Sequence, residues 1–208
     1  MRELSLSDVA SYSKGVVDSS FEELLVHSVS TDSRRIKEGD LFIALEGDSF
    51  NGHDFVQDAF ADGAVAVMVQ EGVDLNVNSS TPVIVVKDTL SGLQEFAKNY
   101  RQSLNLTGVG ITGSNGKTST KDFIYSVLSE RFSVSATAGN YNNHIGLPLT
   151  VLEADDQHQY GVWEMGMSNP GEIALLADIA SPNIGVITNV GVAHIENMGS
   201  RESIAIEK

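Results

Sequence analysis

Alternating apolar and helical patterns along the chain predict strands and helices in turn. Short apolar runs, typical of buried strands, occur at 41–45, 65–69, 83–86, 160–163 and 184–188. Between the third and fourth runs, apolar residues recur at i, i+3, i+4 and i+7: Leu93, Phe96, Ala97 and Tyr100. This alternation predicts an α/β protein with mostly parallel sheets, in which ligands bind at the carboxyl ends of the strands.

A polar stretch at 76–82, which ends in Pro82, predicts a domain boundary. We expect a small N-terminal α/β domain at residues 1–82 and a larger, mostly parallel domain at residues 83–208. Residues 203–208 have a helical pattern, with no Gly, Asn or Pro that would end a helix. We therefore expect the second domain to be incomplete, as in a fragment of a longer protein.

A glycine-rich loop at 110–119 lies between an apolar strand pattern and a helical pattern. Glycines let backbone N–H groups approach phosphate oxygens, the following helix N-terminus favours negative charge, and Lys117 supplies a cation. Thr118 can offer its hydroxyl to a Mg²⁺ on the phosphates. The loop predicts an ATP site that consists of Gly113, Ser114, Asn115, Gly116, Lys117, Thr118 and Ser119. The alternative is a glycine-rich turn that carries Lys-Thr by chance.

The sequence predicts the buried face of the helix after this loop and the N-terminus of a later helix. In the helix after Lys117, the apolar residues Phe123, Ile124, Val127 and Leu128 pair at i, i+4 and predict its buried face. A later helix is predicted to open at Asn169-Pro170-Gly171-Glu172. In that prediction Asn169 is the N-cap and Glu172 completes an arrangement close to a capping box.

Composition narrows the class of protein. The chain has 13 Lys and Arg against 28 Asp and Glu, a net charge of −15, which argues against a nucleic-acid-binding surface. Cysteine is absent, so disulfide and thiolate chemistry are excluded. The sequence has no signal-peptide pattern and no apolar run of membrane length. We expect a cytoplasmic protein without membrane or nucleic-acid partners.

Three segments after the glycine-rich loop carry candidate chemistry. Glu164 follows an apolar strand pattern, where a carboxylate can bind Mg²⁺, although it can equally be a solvated residue at a strand end. His194 also follows a strand pattern, where a single histidine is often only a structural hydrogen-bonding group. The Asn-rich loop at 139–148 suits either a turn or the recognition of a polar, sugar-like ligand.

Taken together, these segments resemble the Mur ligases, which build the peptidoglycan precursor. The loop has the family's form, which explains why Ile111 stands where the generic P-loop has glycine: Thr112-Gly113-Ser114-Asn115-Gly116-Lys117-Thr118. The segments that resemble the family's UDP-binding domain are 30–34, 39–45 and 51–55. Further matches in the second domain are 139–148, 164–167, 170–173 and 188–191. Within the family, the Asn-rich loop is similar to that of members that add D-alanyl-D-alanine.

The resemblance implies a reaction and its substrates. ATP would phosphorylate the terminal carboxylate of UDP-N-acetylmuramoyl-tripeptide, and the amine of D-alanyl-D-alanine would attack the acyl phosphate. Lys117 would steady the β- and γ-phosphates, and Thr118 with Glu164 would hold a first Mg²⁺. His194 matches a ligand of a second Mg²⁺. The protein is expected to act as a monomer.

The resemblance also implies roles for residues outside the phosphate loop. Lys208 stands where the family has a lysine carbamylated by CO₂, whose new carboxylate helps to hold the second metal; the alternative is an exposed helical lysine. Ile206 and Glu207 depart from the small or basic residues that relatives often have there. The expected contacts to the UDP-sugar precursor are Ser30, Thr31, Asp32, Ser33, Arg34, Asn51, His53, Asn142 and Asn143.

Other functions remain open at this point. One alternative is a binding module for the precursor and ATP alone, because nothing in the chain corresponds to the family's third domain, which binds the dipeptide. We therefore expect the 208 residues alone to lack ligase activity. A sibling ligase that adds the third amino acid and a folylpolyglutamate synthase have similar loops. A GTPase is disfavoured because the chain has no Asn-Lys-x-Asp sequence.

Overall fold

The computed structural model describes residues 1–47, 49–75 and 81–208. The chain divides into two compact units, Met1–Asn99 and Tyr100–Lys208. Each unit contains a largely or wholly parallel sheet with helices, so the predicted α/β class is confirmed. Of the polar stretch predicted to be a boundary, residues 76–80 lie outside the described residues.

The first unit contains a five-stranded sheet and two short antiparallel pairs. Its strands are β1 (Leu4–Ser5), β2 (Val16–Val17), β3 (Leu25–Val26), β4 (Ser28–Ser30), β5 (Asp40–Ile43), β6 (Glu46–Gly47), β7 (Phe50–Asn51), β8 (Ala66–Gln70) and β9 (Val83–Val86). Its helices are α1 (Leu6–Ser13), α2 (Val56–Ala61) and α3 (Thr89–Ser103), the last of which continues into the second unit. The sheet order is β2-β9-β8-β5-β4, and all its pairs are parallel except β2 with β9.

The central strands of this sheet are buried on both faces, which explains their continuous apolar runs. On one face, Phe42 and Val67 pack with Val56 of α2. On the other face, α3 approaches closely at Gly92, where an added Cβ would lie 3.1 Å from the Met68 sulfur. The two helices thus cover opposite faces of one sheet.

The predicted boundary after Pro82 differs from the division in the structure. Strand β9 follows Pro82 but pairs in parallel with β8, with Met68 opposite Ile84. This strand is therefore part of the first sheet, and the division between the units falls after Asn99, within α3. Strands β8 and β9 are thus neighbours in one sheet, and local composition does not distinguish a connection within a sheet from a linker between domains.

The second unit contains a four-stranded parallel sheet in the order β11-β12-β10-β13. Its strands are β10 (Thr107–Thr112), β11 (Val134–Ala136), β12 (Tyr160–Glu164) and β13 (Ile184–Ile187). Its helices are α4 (Lys117–Ser129), α5 (Gly146–Glu153), α6 (Glu172–Ala180), α7 (Ile195–Met198) and α8 (Arg201–Glu207). Strand β10 lies between β12 and β13, so the loops after all three strands emerge at the same edge.

The predicted buried face of α4 is only half correct. Ile124 and Leu128 pack against the sheet, in a cluster that includes Val109. Phe123 and Val127, in contrast, are 72% and 73% exposed. Each lies one residue earlier, about 100° around the helix, and this rotation turns them away from the sheet.

The predicted N-cap of α6 is wrong by two residues. The helix begins at Glu172, and its N-cap is Gly171 in a left-handed conformation (φ +88°), without a side-chain cap. Glu172 instead accepts hydrogen bonds from the Ser168 N–H at 2.6 Å and from Asn169 Nδ2 at 2.9 Å. The carboxylate therefore stabilises the preceding loop and does not form a capping box.

A buried arginine ties several segments of the second unit together. Arg101 Nε donates to the Ala180 carbonyl at 3.0 Å, at the C-terminal end of α6. The remaining guanidinium nitrogens donate to oxygens of Leu104, Leu106, Ser181 and Asn183. The guanidinium carbon also lies 5.2 Å from the centre of the Trp163 ring. Burial lowers the pKa of Arg101, and the carbonyl oxygens offset the cost of burying its charge.

In the first unit, Asn51 and His53 form a closed turn. The Asn51 side-chain oxygen accepts from the His53 N–H at 3.0 Å and lies 2.7 Å from His53 Nδ1. His53 Nε2 accepts from the Gln70 N–H at 3.0 Å, so the neutral ring carries its proton on Nδ1. Burial lowers the pKa of His53, and the nearby Glu46 and Asp54 oppose this only in part.

Within the described residues, the longest helix, α3, has 15 residues, and no helix is long and apolar enough to cross a membrane.

We predict that Arg101→Lys lowers the free energy of unfolding of the second unit by about 2–4 kcal/mol, because lysine cannot reproduce the planar fork of donors. Urea unfolding followed by the fluorescence of Trp163, the chain's single tryptophan, measures this unit directly. Arg131→Lys, at an exposed position on the same unit, is the matched control and should have little effect. Equal midpoints for both variants would contradict the prediction.

We also predict that His53 makes the first unit less stable in mild acid. An unfolded histidine has a pKa of about 6.5, and burial keeps the folded value lower. Below pH ~6.5 the unfolded state therefore binds more protons, and stability is lost as the pH falls through this range. The free energy of unfolding is measured by urea unfolding at stepped pH, followed by circular dichroism, and in His53→Gln it should depend less steeply on pH. His27→Gln, at an exposed position, should show the wild-type pH dependence. A wild-type pH dependence in His53→Gln would refute the role of His53 in acid destabilisation.

Candidate functional site

The glycine-rich loop connects the end of β10 to the start of α4. Gly113 has a φ of +146°, and a Cβ there would collide with the Thr188 hydroxyl, so only glycine fits. Gly116 is the N-cap of α4 with a φ of +78°. The first bond of the helix joins the Thr120 N–H to the Gly116 carbonyl, so the amides of 116–119 are the unpaired donors of a helix N-terminus. They form the strongest anion-binding feature of the loop.

Thr188 and Asn189, which follow β13, hydrogen-bond to this loop and fix its shape. Asn189 accepts from the Ser114 N–H through its backbone carbonyl and from the Asn115 N–H through its side chain, both at 3.1 Å. In return, Asn189 Nδ2 and the Thr188 hydroxyl donate to the Asn115 carbonyl, at 3.0 and 2.6 Å. The amides of Ser114 and Asn115 are thus used within the protein, whereas those of 116–119 remain available to an anion.

Sequence reasoning assigned no role to Thr188 and Asn189, although they lie in a segment that resembles the Mur ligases. Their partners are more than 70 residues away along the chain. Besides that resemblance, the sequence signal for these two residues is their position at the end of a strand pattern. The sequence does not show that β13 lies beside β10, which the sheet order reveals.

Glu164 lies at the end of β12 and is 2% exposed, which excludes the alternative of a solvated strand end. One carboxylate oxygen accepts from the Thr118 hydroxyl and the other from Asn142 Nδ2, both at 2.8 Å. The Glu164 N–H donates to the Thr137 hydroxyl at 2.9 Å. The carboxylate therefore connects the start of α4 with the Asn-rich loop, and these bonds come from neutral groups.

A cleft of about 430 Å³ gathers several of the predicted site residues. Lys117 lines it together with Asn142, Asn143 and His194, which come from the loops after β11 and β13. His194 immediately precedes α7 and has a φ of +62°, a conformation uncommon for residues other than glycine. Such strained positions concentrate at functional sites. The other residues that line the cleft are His144, Gly166, Met167, Ser168, Asn169, Glu172 and Leu176.

Lys208 extends toward the same cleft. Its ammonium group donates to the sulfur of Met167 at 3.5 Å, and Met167 lines the cleft. Burial, followed by the charge of Lys117, lowers the pKa of Lys208, while Glu207 acts in the opposite direction. Lys208 is partly buried, so the alternative of a fully exposed helical lysine does not hold. Lys117 itself donates to the Gly113 carbonyl at 3.0 Å.

Several of the predicted UDP contacts in the first unit hydrogen-bond to one another. Asp32 caps a short 3₁₀ helix, Ser33–Arg35, by accepting from the Arg34 N–H. The Arg34 guanidinium, in a side chain that is 86% exposed, pairs with both Asp32 oxygens at 2.8 Å. This hydrogen-bonded pair lowers the pKa of Asp32. Ser30 donates through its hydroxyl to the Asp32 carbonyl at 2.9 Å, which fixes the turn.

No three His, Asp or Glu side chains within residues 1–47, 49–75 and 81–208 form a group that could hold a metal ion by themselves. A cation at Glu164 would depend on other oxygen ligands, such as the Thr118 hydroxyl and phosphate or water oxygens. The arrangement of the second unit is therefore a set of amide donors, two ammonium groups and one buried carboxylate around a polar cleft. Such a set suits a bound polyphosphate.

Two Mur ligase family models match the chain: "Mur ligase family, catalytic domain" at residues 25–101 and "Mur ligase middle domain" at residues 111–208. The UDP-N-acetylmuramoyl-tripeptide--D-alanyl-D-alanine ligase of Bacillus subtilis is 46% identical over 98% of the chain. The chain spans 45% of that relative's length.

Solved structures give the same result. A crystal structure of MurF from Acinetobacter baumannii matches all of the chain with a TM-score of 0.91 at 31% identity, over 46% of its own length. The MurF ligase from Thermotoga maritima in complex with ADP matches 88% of the chain with a TM-score of 0.78 at 38% identity, over 42% of its length. The resemblance first seen in the motifs is confirmed, and the chain belongs to the Mur ligase family.

Proposed function

We propose that this chain provides the ATP-binding and precursor-binding parts of a ligase that adds D-alanyl-D-alanine to UDP-N-acetylmuramoyl-tripeptide, in the cytoplasm. The observation that carries the proposal is the convergence of Lys117, Asn142 and His194 on one cleft. Two further bonds connect Glu164 to the same region. Relatives that carry this activity in their names support it.

ATP is proposed to lie with its phosphates against the N-terminus of α4. The amides of 116–119 and the Lys117 ammonium supply the donors for the β- and γ-phosphates. Lys117 would exchange its present bond to the Gly113 carbonyl for the phosphates. The complex of the Thermotoga maritima relative with ADP supports nucleotide binding in this family.

Mg²⁺ fits the residues beside this loop. Glu164 is buried, and the two groups that donate to its carboxylate, from Thr118 and Asn142, are neutral, so a cation would compensate its charge. We propose that Thr118 and Glu164 hold one ion, and that His194 and a carbamylated Lys208 hold a second. Bound Mg²⁺ neutralises charge on the phosphates and on the phosphoryl group in transfer.

Carbamylation of Lys208 is proposed because its side chain lies partly buried beside Lys117. The neutral amine attacks the carbon of CO₂, forms an N–C bond and loses a proton, which gives a carbamate anion. This change replaces a repulsive ammonium by a carboxylate that can bind a cation. It also removes the repulsion between Lys208 and Lys117.

The chain's residues would serve the transfer chiefly by position and charge. A carboxylate oxygen of the tripeptide attacks the γ-phosphorus, the bond to the β-phosphate oxygen breaks, and ADP leaves. The dipeptide amine then attacks the acyl carbon, loses a proton and displaces phosphate. Because two anions must meet in the first step, Lys117 and the α4 amides lower its barrier by neutralising charge. Asn142 and Asn143 are placed to orient the substrate from the cleft wall.

The UDP part of the precursor is proposed to bind the first unit at 30–34. Ser30, Thr31, Ser33 and Arg34 offer hydroxyl and guanidinium donors for the diphosphate and the nucleoside. Since Arg34 is paired with Asp32, binding would require it to share or exchange that partner. Asn51 and His53 are weaker candidates because they bond to each other and to Gln70.

We predict that Lys117→Ala weakens binding of a non-hydrolysable ATP analogue with Mg²⁺ by about 10- to 100-fold, the cost of losing a charged hydrogen-bond donor. Isothermal titration of the 208-residue chain measures the affinity. Lys87→Ala, which removes an exposed lysine of the first unit, should bind as the wild type does. Absence of heat with the wild type would overturn the nucleotide site, and equal affinity in Lys117→Ala would overturn the role of this lysine.

The proposed reaction is tested by an acceptor screen on the full-length gene product that contains this chain. With UDP-N-acetylmuramoyl-tripeptide and ATP, we expect phosphate release to depend on D-alanyl-D-alanine and not on single amino acids. The control reaction omits the tripeptide and should release no phosphate. If only a single amino acid supports turnover, the sibling ligase that adds the third residue replaces this assignment.

A further inference from the structure

The N-terminus of α6 is capped from a distant helix. Glu207, the last residue of α8, accepts from the Gly171 N–H at 2.8 Å and from the Ile173 N–H at 2.9 Å, one with each carboxylate oxygen. Gly171 itself has no side chain to cap the helix. The carboxylate satisfies two unpaired donors and also benefits from the positive end of the helix dipole.

This contact also holds one wall of the cleft. The loop between β12 and α6 contains Met167 and Ser168, which line the cleft. Asn197 Nδ2, from α7, donates to the Ser168 carbonyl at 3.1 Å. Glu207 connects the next part of the same segment to α8. The loop is therefore tied to both helices that follow β13.

Lys208 is the residue next to this anchor. Its ammonium donates to the Met167 sulfur at 3.5 Å, and the neighbouring Lys117 repels it. A four-carbon side chain can adopt many rotamers, so the position of its backbone decides whether it reaches Met167. The Glu207 carboxylate joins this part of the backbone to the N-terminus of α6.

We propose that Glu207 is a positioning residue that holds Lys208 at the cleft, beside Met167. The inference rests on the proposed function of Lys208 for its role in the reaction, but the placement itself rests on the three hydrogen bonds described. Loss of the carboxylate releases α8 from the N-terminus of α6, and Lys208 then leaves the cleft.

The test compares Glu207→Ala and Glu207→Gln with the wild-type 208-residue chain. Glu202→Ala, in the first turn of the same helix and exposed, makes the same charge change and serves as the control. Two signals are recorded by NMR: the carbamate carbon of Lys208 in ¹³C-bicarbonate, and the cross-relaxation between the Lys208 ε-methylene and the Met167 methyl. Trp163 fluorescence verifies that each variant is folded.

We expect carbamate occupancy to fall about tenfold in Glu207→Ala, the cost of a lost pair of charged hydrogen bonds. The Met167 contact should disappear in the same variant. Glu207→Gln keeps one accepting oxygen and should be intermediate, while Glu202→Ala should match the wild type. Unchanged Trp163 fluorescence in Glu207→Ala separates this loss from unfolding of the unit.

Each result decides the question. If the wild type is carbamylated and Glu207→Ala is equally so, the positioning role is overturned while the proposed function of Lys208 stands. If the wild type shows no carbamate, the proposed function of Lys208 fails, and the NMR contact between Lys208 and Met167 tests the positioning role by itself. Loss of that contact in Glu207→Ala then supports the positioning role, and its persistence overturns the role.

Discussion

The parallel pairing of β10 with its two neighbours is the constraint on which the second unit depends. Ile111 pairs with Glu164 of β12, and Thr112 pairs with Ile187 of β13. In this register the glycine-rich loop, the buried carboxylate and the segment 188–194 leave the sheet side by side. A shift of β12 by one residue would turn Glu164 to the other face of the sheet, away from Thr118. The geometry of the cleft is therefore set by backbone hydrogen bonds before any side chain acts.

Polar side chains then fix the loops that the sheet brings together. Asn189 and Thr188 hold the glycine-rich loop in a shape that leaves the α4 amides unpaired. Glu164 joins the start of α4 to Asn142, and Glu207 holds the wall that follows β12. A preorganised site avoids the cost of ordering its loops when the ligand binds, which leaves more interaction energy for affinity and for positioning.

The sequence was sufficient to predict helices and strands whose pattern of apolar residues is local. Periodicity located α3 and α4, and the run 83–86 matches β9 residue for residue. Prediction from the sequence failed where the structure depends on contacts between segments that are distant along the chain. Composition suggested a boundary at Pro82, but β9 pairs backward with β8. The i, i+4 pattern of α4 did not reveal which of two adjacent pairs faces the sheet. The cap of α6 comes from Glu207, 36 residues from Gly171, and no local rule could supply it.

The site residues divide in the same way. Lys117 and Thr118 are recognisable because their motif is contiguous and its chemistry requires a strand, a loop and a helix. Position after a strand or in a loop marked His194 and the Asn-rich loop as candidates, the family resemblance gave them roles, and the resemblance alone suggested Lys208. The structure brings Asn142 and His194 to one cleft and Lys208 against Met167. Asn189 lay inside a matching segment but received no role, because its partner is the backbone of Asn115. Backbone acceptors have no sequence signature.

The acidity of the chain bears on how such a site can work. A net charge of −15 repels a polyanion at long range, yet at physiological ionic strength charges beyond about 8 Å are largely screened. Within that distance, the groups that favour an anion are the α4 amides and Lys117, while the carboxylate of Glu164 is hydrogen-bonded to Thr118 and Asn142 and that of Glu172 to Ser168 and Asn169. Local donors therefore outweigh the overall charge. The same argument explains why the position of Lys208 matters: the proposed carbamate can hold a cation at the cleft only while its side chain stays there, and a screened field cannot replace it.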